Sequence, residues 1–242
     1  MIPHERAVIA DSLWTATAND STTRPALTQD LTTDVAVIGG GYTGLSAALH
    51  LAEAGTGVAL IEARQPGWGA SGRNGGQINP GLKDGPAGII AQFGPAMGTR
   101  MIALSGGAAD LVFDLIARHG IDCDAVRPGW VRAAHTPKAL ADLHALAADW
   151  QAHGAPVDPL ERAEFERLTG AQGYRGGLID RRGGNLHPLN YALGLARAAE
   201  ARGARLFGDT PATAITPEGD GWRVTTPQGR IDAGRVLICT NG

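Results

Sequence analysis

Three glycines in the pattern Gly39-x-Gly41-x-x-Gly44, with a carboxylate, Glu62, 23 residues after the first of them, are the residues whose type and spacing point most directly to chemistry. The first glycine permits a tight turn, the second lets a pyrophosphate touch the backbone, and the third lets a helix pack closely on a strand. The helix that begins there offers N–H groups to phosphate oxygens. Glu62 is a hydrogen-bond acceptor for the hydroxyls of an adenosine ribose, and its charge repels a 2′-phosphate, which disfavours NADP. The chemistry is dinucleotide binding. These residues alone leave NAD and FAD both open, and Glu62 read singly also fits a solvated carboxylate at a strand end.

A second cluster follows, Gly69-Ala70-Ser71-Gly72-Arg73-Asn74-Gly75-Gly76-Gln77. Successive glycines expose backbone N–H groups, Ser71 can bind a phosphate oxygen, and Arg73 can balance charge. On composition the same run fits a flexible surface loop equally well.

The elements that must position these residues are legible in part. Val35-Ala36-Val37-Ile38 is a short apolar run, and Leu45, Ala48, Leu49 and Ala52 recur at helical spacing before Gly55. Val58-Ala59-Leu60-Ile61 gives a second strand and completes a βαβ unit, for which parallel pairing and a right-handed crossover are expected. Residues 1–32 read as an extended arm with Trp14 as its anchor. Residues 65–88 hold eight glycines and three prolines and read as a long, functional loop.

Helices are expected at about 99–119, 137–153 and 161–169, and from Pro188 to Gly203 with proline at the start and glycine as the stop. Strands are expected at Ile121–Val126, Trp130–Ala134, Gly176–Asp180, Arg205–Phe207, Ala212–Thr216, Trp222–Thr226, Arg230–Asp232 and Val236–Cys239, with a turn at Pro227-Gln228-Gly229.

Composition narrows the class. With 43% hydrophobic and 19% charged residues over 242 positions, the chain is an ordinary globular protein, large enough to bury a core. A net charge of −3 argues against nucleic-acid binding, which needs basic surface. No apolar run of secretory or membrane-spanning length occurs, and Cys123 and Cys239 lie in no metal-like spacing, so a cytoplasmic, reducing location without metal or membrane is expected. The remaining candidates read as structural. His135, His144, His153 and His187 are expected at the surface or as caps, Asp122 and Asp124 in a surface turn or strand, Trp130 as a core aromatic beside a solvated Arg132, and Cys239 as a buried thiol.

The sequence resembles the amine- and amino-acid-oxidising flavoproteins that include D-amino acid oxidase, glycine oxidase and sarcosine oxidase, nearest to their gamma-glutamylputrescine oxidoreductase-like branch. The resemblance rests on TDVAVIGGGYTGLSAALHLAEAG (Thr33–Gly55), Leu60-Ile61-Glu62-Ala63 and GASGRNGGQINPGLK (Gly69–Lys83). It continues through DRRGGNLHPL (Asp180–Leu189), GLARAAEARGA (Gly194–Ala204) and the closing VLICTNG.

The resemblance implies FAD, in a Rossmann-like α/β domain at 33–83 and 185–242, with an incomplete α+β substrate domain inserted at 84–184. Gly39, Gly41, Tyr42, Thr43, Gly44, Glu62, Ala63 and Arg64 would hold the adenosine and phosphates. Gly69 to Gln77 would lie along the phosphates and flavin, Ala212 would bracket the adenine, and Thr240, Asn241 and Gly242 would close on the cofactor. Neither His nor Cys occurs between residues 65 and 88, which points to noncovalent FAD.

The implied activity is oxidation of a small amine or amino acid to an imine, with oxygen or another acceptor taking the electrons; no catalytic residue is assigned. Because relatives continue past the final strand, the chain resembles the first part of a longer enzyme. The alternative is a truncated, noncatalytic FAD-binding fragment of such an enzyme; a missing C-terminal half is the partner the resemblance implies.

Overall fold

A computed structural model of the chain describes Ile9 and residues 11–241, which form two compact units. The first unit comprises the residues through Gly75, His119–Cys123 and those from His187 onward; the second comprises Gly76–Arg118 and Asp124–Leu186. The first unit opens with α1 (Leu13–Ala16), β1 (Leu31–Ile38), α2 (Tyr42–Glu53), β2 (Val58–Ile61) and a 3₁₀ turn at Ala70–Gly72. In the second lie β3 (Gln77–Ile78), α3 (Pro86–Gly106), α4 (Ala108–His119, whose last residue counts with the first unit), β4 (Trp130–Ala134) and α5 (Pro137–Ala152). It continues through β5 (Val157–Glu161), α6 (Arg162–Thr169), β6 (Gly176–Asp180) and β7 (Gly184–Asn185). The chain then completes the first unit with α7 (Pro188–Ala201), β8 (Arg205–Phe207), β9 (Ala214–Glu218), β10 (Gly221–Thr225) and β11 (Arg230–Ile238).

The first unit is a six-stranded sheet in the order β8-β2-β1-β11-β10-β9. β8, β2, β1 and β11 run parallel, and β10 and β9 add an antiparallel edge. Parallel neighbours require crossovers, and α2 supplies the one between β1 and β2. Strands covered on both faces read as continuous apolar runs; Val35–Ile38 and Val58–Ile61 are buried at every position. On one face α2 buries Leu45, Ala48 and Leu49 completely. Each such leucine contributes about 1.5–3 kcal/mol relative to exposure. On the other face Leu27, Ala36, Ile38, Ala59, Ile61, Val224, Ile231 and Ala233 form a core, with Ala212 and Ile215 packed on it.

In the second unit β4, β6 and β5 form an antiparallel sheet with β6 in the middle. Ile89, Ile102, Leu143, Trp150 and Leu178 build its core. Arg182 stacks on Trp150 at 4.4 Å while both of its forks bond the Asp180 carboxylate, at 2.9 and 2.5 Å.

Several expectations from the sequence are corrected. The arm is not held by Trp14 alone: Trp14 meets His187 edge-on at 4.9 Å, but Leu27 is 1% exposed, and Arg24 forms a two-pronged pair with Glu200 at 3.1 and 3.0 Å. The first strand also begins inside the expected arm, at Leu31.

The glycine-rich stretch is not loop throughout, because α3 starts at Pro86, where proline's missing N–H costs nothing. Ile121–Val126 forms no strand; only Val126 makes a bridge, to Asn185. β5 was not anticipated, and β11 runs unbroken where two strands were expected. The units divide at Gly75/Gly76 and Leu186/His187, not at 83/84 and 184/185, because β3 pairs with β7 within the second unit.

Candidate functional site

β1 ends where the first glycine motif begins. Gly39 has φ of +112°, and a Cβ there would lie 2.4 Å from the Cys239 carbonyl oxygen, so the residue must be glycine twice over. Its N–H donates to the Ile61 carbonyl at 2.8 Å, which ties the turn to β2. Gly41 is the N-cap of α2 and no side chain caps the helix from that position, leaving first-turn N–H groups for an external acceptor. Gly44 sits under the turn: a Cβ would lie 1.9 Å from the Gly39 carbonyl oxygen. The helix can approach this closely only because that atom is missing.

Glu62 stands at the end of β2 with its carboxylate anchored at both oxygens. Oε2 accepts the Gly40 N–H at 2.7 Å and Oε1 accepts the Arg64 N–H at 2.9 Å. Each oxygen retains a lone pair for a further donor. The second glycine cluster reaches the first through Ser71, whose Oγ accepts the Tyr42 N–H at 3.0 Å. At Gly72 a Cβ would lie 2.2 Å from the Gly67 carbonyl oxygen and 2.9 Å from Leu189 Cδ1, so this segment packs tightly on α7. The Tyr42 hydroxyl donates to the Pro188 carbonyl at 3.0 Å and accepts from Asn74 Nδ2 at 3.2 Å. Burial pushes its phenol up to about 12.

The wall opposite comes from the segment between β8 and β9. The Thr210 N–H donates to the Glu62 carbonyl at 2.8 Å, and the Asp209 N–H to that of Arg64 at 2.6 Å. Thr210 Oγ1 in turn accepts the Leu27 N–H at 3.0 Å, so the N-terminal segment holds this wall in place. Together these parts enclose a cleft of 640 Å³, within the roughly 300–1,000 Å³ usual for cofactor sites.

Of the residues expected at the site, Gly39, Gly41, Tyr42, Thr43, Glu62 and Ala63 line this cleft, as do Gly69, Ala70, Ser71, Ala212, Thr240 and Asn241. Gly44 is buried behind the turn. Arg64, Gly72, Arg73, Asn74 and Gly75 belong to the same unit but are not on the cleft wall. Gly76 and Gln77 belong to the second unit, where the Gly76 carbonyl accepts the Leu186 N–H and Gln77 pairs with Asn185. Gly242 lies outside the described residues.

Reasoning from sequence missed Trp68, Thr210, Pro211 and Cys239 on the wall. Cys239 is half-buried, not buried, and burial pushes its thiol up. His187 is a cap, but a buried one: Nδ1 accepts the Asn190 N–H at 3.1 Å, so Nε2 carries the proton and donates to Thr17 Oγ1 at 3.0 Å.

A glycine cradle fused to a carboxylate and joined by a serine to a second glycine segment has a counterpart among known proteins. Residues 34–242 match the family described as FAD dependent oxidoreductase, DAO. The chain belongs to that family. FAD is the family's cofactor, and the donors and acceptors of the cleft suit it: N–H groups toward phosphate, Glu62 toward ribose, and close backbone approach at Gly39 and Gly41.

The gamma-glutamylputrescine oxidoreductase of Escherichia coli (strain K12) is 36% identical over 234 residues, 95% of this chain and 54% of that protein. The glycine oxidase structure from Geobacillus kaustophilus superposes with a TM-score of 0.71 at 26% identity, over 86% of this chain and 55% of that one. The L-amino acid deaminase from Proteus vulgaris shares the fold, with a TM-score of 0.74 at 20% identity over 92% of this chain and 50% of that one. The chain spans about half the length of the curated relatives it matches. Among the described residues no helix is long and apolar enough to cross a membrane, and no group of His, Cys, Asp or Glu is placed to hold a metal.

Proposed function

We propose that this chain carries the FAD-binding part of an oxidoreductase acting on a C–N bond of a small amine or amino acid, with a gamma-glutamylputrescine-like amine as the favoured substrate. The observation that carries the reading is the cradle in which Gly39, Gly41 and Gly44 bring α2 and β1 together directly in front of the Glu62 carboxylate. Similarity to the gamma-glutamylputrescine oxidoreductase supports the substrate class.

In this reading Glu62 accepts the ribose hydroxyls, and the N–H groups at the start of α2 face the pyrophosphate, which the positive end of the helix dipole favours. Ser71 holds the second glycine segment against that helix end. Ala212, fixed through Thr210, bounds the adenine side. Bound noncovalently, FAD supplies the capacity to take two electrons from the C–H beside the nitrogen, and the protein's part is to bind and orient. The chemistry demands no protein base, and no residue of this chain is assigned one.

The test is the visible spectrum of the purified chain, before and after acid precipitation. Yellow protein that releases FAD into the supernatant supports the reading, and amine turnover can then be screened. Gly41→Val should abolish flavin retention, because its side chain fills the space where the pyrophosphate meets backbone. Full flavin occupancy in Gly41→Val would sink the assignment.

A further inference from the structure

In the second unit, α3 and α4 carry exposed apolar side chains along one line. Leu104 is 81% exposed, Met97 48% and Leu111 45%, and Ala108 is exposed with them. Met101 stands in the same line, half-buried and packed on the core below. Positions 97, 101, 104, 108 and 111 alternate steps of four and three, which keeps them on one helix face in the pattern of a seam that pairs with another helix. The break at Gly107 does not scatter that face. Across it the Gly107 N–H bonds the Ala103 carbonyl and the Leu111 N–H bonds the Gly107 carbonyl, each at 3.1 Å.

Single exposed apolar residues are ordinary on a protein surface, but a contiguous line of them marks an interaction site. Two features identify what pairs with it. From Pro86 to Ala109 the sole charged residue is Arg100, where the outer face of a surface helix is normally charged. The partner must be equally poor in charge, because an ion buried against this seam would find no counter-ion. The seam is also complementary to itself. Turned antiparallel about a two-fold axis at Leu104, a second copy sets Leu104 against Leu104, Met97 against Leu111, and the large Met101 against the small Gly107 and Ala108. In that register Arg100 lies about 12 Å along the axis from its own copy, where salt screens the repulsion, and Asp110 keeps its ion pair with Arg127. We infer that two copies of this chain associate through Met97, Met101, Leu104, Ala108 and Leu111 as an antiparallel helix pair. This association is independent of the FAD reading.

The test is sedimentation velocity of the chain at about 1 to 100 µM, a range in which an interface as small as one helix pair should show both monomer and dimer. Leu104→Lys sets like charges face to face on the axis and should weaken the dimer by roughly thirtyfold or more, the mark of a central interface residue. Because Leu104 is exposed in the protomer, the variant should keep the wild-type circular dichroism and urea midpoint. Leu104→Glu should behave alike, and an equimolar mixture of the two variants should recover the dimer, since each lysine then faces a glutamate. A residue that mattered only to the protomer's fold would move the midpoint and would not be rescued by mixing.

Monomer at every concentration overturns the inference and leaves a helix of a different chain, or of a longer form of this one, as the occupant of the seam. A dimer that Leu104→Lys leaves intact overturns it too, because the contact then lies elsewhere. Variants that each weaken the dimer but fail to pair when mixed overturn the two-fold arrangement. If Leu104→Lys does not fold, Met97→Lys mixed with Leu111→Glu carries the test, these two positions being opposed in the register. The mixture should associate more tightly than either variant alone, and equal association overturns the inference.

Discussion

Gly44→Ala separates the two jobs of the glycine motif. The added Cβ would lie 1.9 Å from the Gly39 carbonyl oxygen and 3.3 Å from Val37 Cγ1. Gly39 cannot give way: its N–H is bound to Ile61, its φ is +112°, and its Cα faces the Cys239 carbonyl. The helix must therefore retreat by about 1.5 Å to restore an ordinary contact, and a gap of even 1 Å forfeits about half of each dispersion contact it opens. Leu45, Ala48 and Leu49 are fully buried on this interface.

Overpacking of this kind costs about 1–3 kcal/mol, and the loss expected here is at the upper end, about 3 kcal/mol. With a urea slope of about 1–3 kcal/mol per molar, the midpoint followed by circular dichroism should fall by about 1–3 M. An unobstructed helical glycine replaced by alanine would instead gain about 0.5–1 kcal/mol, so the sign decides. A midpoint that rises or stays put refutes the packing argument. Gly41→Ala is the control, since its Cβ meets only the rotatable Ser71 Oγ at 2.9 Å. It should unfold within about 1 kcal/mol of wild type while losing FAD affinity.

Arg24→Ala removes a buried cation from Glu200 and Asp20 and should cost about 2–3 kcal/mol, near the low end for a broken buried pair because Glu200 is partly exposed; a urea midpoint unmoved within error sinks it. Burial raises the Asp20 carboxyl, but hydrogen bonds from Thr22 and Arg197 outweigh it and hold the group down at about 2. Its stabilisation is thus complete above the ordinary carboxylate range and fades as pH falls toward 2, so Asp20→Asn should flatten the acid limb of stability against pH. At the other extreme, burial raises the Tyr42 phenol to about 12. Its contribution is present below about pH 10, the unfolded value, and is lost as pH climbs to 12, so Tyr42→Phe should reduce alkaline unfolding between those limits, and an unaltered alkaline limb would refute the burial argument.

What was legible in the sequence is what is local. The βαβ unit around Gly39 and Glu62 announces itself by apolar runs of the right length and glycines at fixed offsets, and the helix from Pro188 by proline at its start and glycine past its end. α3 was half hidden because Gly85, Pro86, Gly88, Gly94 and Pro95 look like loop. Yet Pro86 occupies the first helical turn, and Gly94, at φ of +76°, marks a kink with Pro95 starting the next segment. β11 looked broken at Gly234, where a glycine is what a close strand needs: its Cβ would meet the Asp34 carbonyl at 3.2 Å.

The anchoring of the N-terminal segment was illegible for a different reason. Arg24 and Leu27 find their partners in Glu200 and Thr210, far along the chain, and no local pattern carries that information.

The cleft is thus built in two ways, and they respond differently to change. Its floor is backbone against backbone at Gly39 and Gly44, where a single methyl group is decisive and no side-chain chemistry can compensate. Its opposite wall is a relay of hydrogen bonds, from Leu27 to Thr210 to Glu62, with Gln65 joining Arg24 to Asp209 alongside. Loosening any one link lets Pro211 and Ala212 move while β1, α2 and β2 stay intact. Changes in the floor should abolish dinucleotide binding or the fold itself. Changes in the N-terminal segment should instead weaken binding by degrees, because they act on the mobility of one wall and leave the glycine floor whole.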